Sequence, residues 1–120
     1  MKRNTITLNI GLTDSIGEPV PIHKAIAALQ LRGFAVINSR VACGTWQGVI
    51  GYTLVVECAF ALPCERIESI LASKAAVFRL TMDLGQTCIA IRWQDGCGEL
   101  VPQQIGTPFD TASFYDILPA

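Results

Sequence analysis

YTLVVECAF, residues Tyr52–Phe60, is the stretch whose reading decides the fold. Tyr52, Leu54, Val56, Cys58 and Phe60 fall on one side of an extended chain, and Thr53, Val55, Glu57 and Ala59 fall on the other. β-branched and aromatic residues dominate the run, and Pro63 ends it soon after. The pattern predicts a strand. One face is wholly apolar and needs a cover, whereas the other is mixed and carries a carboxylate near its middle.

Toward the N-terminus, Thr5–Leu12 alternates in the same way, with Ile6, Leu8, Ile10 and Leu12 set against Thr5, Thr7, Asn9 and Gly11. This predicts a strand with one buried face. Gly17, Pro19 and Pro21 break the chain over Thr13–Pro21, which reads as a loop. A helix should follow over 21–32, because proline suits a first turn, Gly33 suits a stop, and Ile22, Ala25, Ile26 and Leu29 form an apolar stripe. Phe34–Cys43 reads as a strand, and Gly44–Gly51, with three glycines and Trp46, as a loop.

Toward the C-terminus, Ile67, Ile70, Leu71, Ala75 and Phe78 recur at helical spacing after Pro63. Phe78, Leu80, Met82 and Leu84 also alternate like a strand. No breaker lies between Pro63 and Gly85, and Ala72–Ala76 favours helix, so a helix to about Leu84 is expected. A hairpin turning at Gly85–Gln86 is the alternative. Thr87–Trp93 reads as a strand, Asp95–Gly96 as a turn and Glu99–Val101 as a short returning strand. Residues 102–120 read as an irregular tail pinned by Phe109, Phe114, Tyr115 and Leu118.

The order strand, helix, strand, strand, helix, strand predicts an α+β domain of the ferredoxin-like split βαβ type over residues 1–101. Residues 102–120 would pack on the same domain as a C-terminal extension. Right-handed crossovers put the Thr5 and Tyr52 strands in the centre of the sheet. Antiparallel helices would cover Ile6, Leu8, Ile10, Leu54, Val56, Cys58, Ile89 and Ile91. The open face would carry Thr5, Thr7, Asn9, Thr53, Val55, Glu57, Ala59, Cys88, Ala90 and Arg92.

Composition excludes several classes. Hydrophobic residues make up 51% of the chain, charged residues only 16%, and the net charge is −1. There is no basic stripe of the kind nucleic-acid binders carry, so no nucleic-acid partner is expected. Polar residues interrupt the apolar ones after Lys2 and Arg3, which argues against a signal peptide, and no run is long enough to span a membrane. The five cysteines, Cys43, Cys58, Cys64, Cys88 and Cys97, include no C-x-x-C pair, and there is one histidine. Free thiols in a reducing, cytoplasmic setting are expected, with no metal and no cofactor.

Two phrases, SRVACGTWQG (Ser39–Gly48) and LGQTCIAIRWQDGCGELV (Leu84–Val101), resemble stretches of small accessory proteins of bacterial phages, plasmids and genomic islands. The resemblance implies a mobile-element protein, of a sort that often inhibits a host system by binding. It transfers no residue role.

No motif dictates a chemistry. The predicted topology gathers Asp14, Glu18, His23, Trp46 and Gln47 at one end, with Ser15, Cys43 and Gln86 nearby. A helix start there would favour an anion, although Asp14 and Glu18 oppose one. A Cys43–His23–Asp14 arrangement would make a thiol nucleophile, although His23 alone reads as an exposed first-turn residue. Trp46 in a glycine-rich loop would plug the core or anchor a partner. The open face lacks the aromatics of an RNA platform, and Thr7, Val55, Glu57, Cys88 and Arg92 suit contact with a second copy. The expectation is a non-enzymatic, homodimeric binding protein that inhibits or regulates a protein partner. A regulatory small-ligand-binding domain is the alternative, and a thiol enzyme using Cys43 the next.

Overall fold

The computed structural model describes residues 5–46, 49–60, 66–93, 96–102 and 118–119. Its elements are β1 (Thr5–Gly11), α1 (Ile22–Leu31), β2 (Phe34–Trp46), β3 (Val49–Phe60), α2 (Arg66–Asp83), β4 (Ile89–Arg92), β5 (Gly98–Val101) and β6 (Leu118–Pro119). The chain is an α+β protein. Its strands form one sheet in the order β5-β4-β1-β3-β2-β6, with every neighbouring pair antiparallel. β1 and β3 hold the centre, where period-two alternation matters most because each strand is paired on both sides.

The apolar halves of these strands make the core. Ile6, Leu8 and Ile10 of β1, Leu54, Val56 and Cys58 of β3, and Ile89 and Ile91 of β4 pack in one cluster with Ala25 and Leu29 of α1 and Ala76, Val77 and Leu80 of α2. Each fully buried Leu, Ile or Val there contributes about 1.5–3 kcal/mol. The ambiguous stretch is helix. Ser73, Ala76, Val77, Leu80 and Leu84 are buried at helical spacing, whereas Phe78 and Met82, which a strand would have turned inward with Leu80, are exposed. Lys74 of α2 pairs with Glu99 of β5 at 2.9 Å, an exposed contact worth about 0–1 kcal/mol.

Three expectations change. Residues 44–51 are not simply a loop, since β2 and β3 run on as a long hairpin with Gly44 opposite Gly51, Thr45 opposite Ile50 and Trp46 opposite Val49. Glycine lacks a side chain to pack but keeps both backbone hydrogen-bonding groups, so a ladder can include it. The helices do not lie side by side and antiparallel. Arg32, just after α1, donates from Nε and Nη2 to Asp83 Oδ2 and Oδ1, each at 2.7 Å, so the C-terminal ends of α1 and α2 meet. The tail is not wholly irregular, because Leu118 and Pro119 pair with Cys43 and Ala42 and extend the sheet. Gln47, Cys64, Phe109, Phe114 and Tyr115 lie outside the described residues. No described helix is long and apolar enough to cross a membrane.

Candidate active site

The open face gains its chemistry from strand register. At one level of the sheet Arg92 of β4 and Glu57 of β3 both lie opposite Thr7 of β1, and Asn38 of β2 lies opposite Glu57. Asn38 reaches this row through a β-bulge. Val36 pairs with Cys58, Asn38 pairs with the next residue Glu57, and Ile37 is the extra residue between them. Such a bulge reverses the alternation of the strand beyond it and re-aims side chains. Asn38 Nδ2 then donates to Glu57 Oε2 at 3.1 Å, tethering the carboxylate on the face.

Beside this row is a cleft of about 330 Å³, lined by Thr5, Ile6, Thr7, Glu57, Arg92, Trp93 and Gly96. The chain after β4 forms one wall. Trp93 N donates to Cys97 O at 2.8 Å and Gly96 N to Trp93 O at 3.0 Å. Gly96 has φ of 90°, which a side chain would strain. Trp93 is half-buried and leans on the core. The cleft therefore joins a carboxylate, a guanidinium, two threonine hydroxyls and an indole.

The nearby thiols are held neutral. Burial, with a smaller contribution from the Glu57 charge, pushes Cys58 up to about 12. Burial also pushes Cys88 up. A thiol so raised is a poor nucleophile at neutral pH. Cys43, Cys58 and Cys88 are free thiols. Among the described residues no three His, Cys, Asp or Glu side chains come together as metal ligands.

Thr7, Glu57 and Arg92, read as contact residues, thus share one row around a cleft. Cys88 is half-buried, and Val55 is already buried within the single chain at 7% exposure. At the other end, Asp14 and Glu18 do meet, but to build their own loop. Asp14 Oδ1 accepts from Ile16 N at 3.1 Å and Glu18 N at 2.8 Å, while Asp14 N donates to Glu18 O. Gln86 Nε2 reaches Thr13 O at 3.4 Å and Ser15 N donates to Gly85 O, so the expected grouping of these loops is present. His23 is exposed on the first turn of α1. Asp14 spends its Oδ1 on its own loop, and no hydrogen bond to His23 is seen among the described residues. Trp46 ends β2 instead of sitting in an open loop.

The residues that sequence reasoning missed are Thr5, Ile6, Asn38, Trp93 and Gly96. Trp93 beside the Asp95–Gly96 sequence signal for a turn was usable, since an aromatic at a strand end can wall a pocket. Nothing in Phe34–Cys43 announces the bulge that brings in Asn38.

No protein-family model matches the chain, and no curated protein matches it significantly. Solved structures do. The chain is similar in fold to phage SAM lyase. The apo state aligns at a TM-score of 0.57 and 15% identity, over 82% of this chain and 90% of that one. The complex with S-methyl-5′-thioadenosine aligns at 0.51 and 14%, over 80% and 84%. At such identity the likeness concerns the fold. It nevertheless overturns the expectation of a non-enzymatic protein binder, because both similar structures are of an enzyme and the open face holds a cleft with charged groups.

Proposed function

We propose that this protein is an enzyme that cleaves S-adenosylmethionine and leaves S-methyl-5′-thioadenosine. The carrying observation is the cleft at the Arg92–Thr7–Glu57–Asn38 row, set in a fold like that of phage SAM lyase. The substrate combines a flat base, a sulfonium cation and an amino-acid end with an ammonium and a carboxylate. Glu57 offers a tethered anion to the cationic groups, Arg92 a cation to the carboxylate, and Trp93 an aromatic face on which a cation or base can lie. The cleft volume of about 330 Å³ falls within the range of small-molecule sites.

The step needs no co-reactant. The bond between sulfur and Cγ of the amino-acid arm breaks, and its electron pair stays on sulfur as a neutral thioether. The substrate's own carboxylate oxygen bonds to Cγ and closes a five-membered lactone. A cation and an anion vanish together, so exclusion of water speeds the step, and intramolecular capture exploits proximity. In this course Glu57 holds the cation and moves no proton.

The rest of the assignment follows as proposal. We place the β4-β1-β3-β2 kernel with ferredoxin-like domains, with β5 and β6 added at its edges. A mobile-element setting in the cytoplasm fits an enzyme that depletes a host methyl donor. A homodimer through the open face would set a second copy against the cleft, at Thr7, Glu57, Cys88 and Arg92.

Purified protein incubated with S-adenosylmethionine should yield S-methyl-5′-thioadenosine and homoserine lactone in equal amounts, well above the rate without protein. Glu57→Gln should abolish most of the excess while staying folded. An open-chain alkene amino acid as co-product would make Glu57 a base that removes a Cβ proton. Folded wild-type protein giving no excess product would refute the proposal.

A further inference from the structure

One polar side chain on the open face has no hydrogen-bond partner among the described residues. Asn9 sits in the middle of β1, between Val55 of β3 and Ala90 of β4. It is 2% exposed, and neither its Nδ2 nor its Oδ1 has a hydrogen-bond partner. Leu100 lies beyond Ala90 in the same row, and Leu100, Ala90 and Val55 are all buried. An amide desolvated among apolar groups and left unpaired is costly, and a leucine of similar size would be cheaper. Native proteins keep few such groups, and those they keep often serve function.

Position suggests what the amide is for. Thr7, which lines the cleft, is two residues before Asn9 on the same face of β1, about 7 Å away along the strand. The open face thus changes character from one row to the next. The Thr7 row carries charges at its centre, whereas the centre of the Asn9 row is buried and apolar apart from one neutral amide, and its one charge, Arg40 opposite Val55, stands exposed at the β2 edge. Charged groups of a ligand belong with the first row, because they would be desolvated in the second. A flat neutral group with a donor beside an acceptor belongs with the second.

We propose that Asn9 is the specificity-determining residue for the base of the nucleoside, its amide pairing with the adenine edge where the exocyclic amino group adjoins a ring nitrogen. Asparagine carries a donor and an acceptor at the spacing this edge presents. The proposal rests on the ligand being S-adenosylmethionine or its thioadenosine product. It also requires the bound base to displace whatever shields Asn9 in the ligand-free chain.

The test uses the full chain with two probes, S-methyl-5′-thioadenosine and its analogue lacking the 6-amino group, read by calorimetric titration, together with thermal denaturation. Wild type should prefer the amino compound by about tenfold or more. Asn9→Leu should melt above wild type, bind S-methyl-5′-thioadenosine at least about tenfold more weakly, and show no preference between the probes. Asn9→Ala, which adds no bulk, should lose the preference as well. A lower melting temperature for Asn9→Leu would mean that the amide has partners in the protein and would overturn the proposal. So would an unchanged preference in the variants, or a wild type that binds neither probe. A wild type that binds with the expected preference but does not cleave S-adenosylmethionine would refute the lyase alone.

Discussion

Cys58 should make the protein abruptly sensitive to alkali. Its thiol lies in the core cluster with no exposed surface, and burial, followed by the Glu57 charge, raises it from 9.0 to about 12. The sign follows from proton counting. Between those values the unfolded chain has lost the thiol proton and the folded chain keeps it, so stability falls as pH rises. The contribution is intact below the unfolded value of 9.0 and is lost progressively up to about 12. At about 1.36 kcal/mol per unit the full loss is about 4 kcal/mol, and near pH 10.5 it is about 2 kcal/mol. Urea unfolding of wild type and Cys58→Ala across this range measures it. The variant loses packing at every pH, so the informative quantity is the difference in slope, in which other titrating groups cancel. Wild type should lose about 2 kcal/mol more than Cys58→Ala between about pH 8 and 10.5. Parallel curves would refute the placement of Cys58 on the covered face, and with it the pairing of Ile6 with Cys58 that sets the Thr7–Glu57 row.

Asp83→Asn should destabilise the protein at neutral pH and flatten its response to acid, because the Arg32 hydrogen bonds hold the Asp83 carboxyl below its ordinary value of 3.8, a contribution present above that value and lost as pH falls through the lowered one. Acid titrations of both proteins followed by circular dichroism would show it, and coincident curves would refute it. Asn38→Ala should lower S-adenosylmethionine turnover by about tenfold by freeing the Glu57 carboxylate, with little change in melting temperature since Asn38 is exposed. Deleting Ile37, the extra residue of the bulge, should keep Val36 opposite Cys58 and Asn38 opposite Glu57 in a regular ladder and so reduce turnover less than Asn38→Ala does, and a larger loss would refute this account of the bulge. Leu8→Ala should cost about 2–5 kcal/mol in chemical denaturation, because Leu8 is fully buried between β3 and β4 beneath the helices.

The legible part of the fold is the part whose period is unbroken. β1 and β3 alternate without error, so their faces follow from the sequence alone, as does the α1 stripe. α2 was ambiguous only because Phe78, Leu80, Met82 and Leu84 fit two periods, and the absence of a breaker before Gly85 decided it correctly. The hairpin tip was hidden because Gly44 and Gly51 signal a loop singly but face each other in pairing. The site was half legible. Alternation puts Thr7, Glu57 and Arg92 on one face, but a shift of two residues keeps every face and changes every row, so only the observed register makes them neighbours. Asn38 was illegible because one extra residue reverses the phase of β2, and no residue type marks that place.

The open face was expected to be a small, mixed and weakly charged surface suited to a second copy. Its charges and its buried part fall in separate rows at the centre of the sheet. Val55, Ala90 and Leu100 are buried within one chain, so a charge at Val55 would be buried without a partner and would unfold the protomer before it could separate two of them. Self-association is better tested at the Thr7 level, where Arg92 is exposed and Thr7 and Glu57 are half-buried. That is also the level of the cleft. At its centre the face carries charges in one row and a dry neutral amide in the next, with Arg40 standing only at the β2 edge of the second. It is well suited to a small molecule that is charged at one end and flat and neutral at the other. The division of the face, more than any single residue on it, favours the proposed nucleoside sulfonium as a ligand of this sheet.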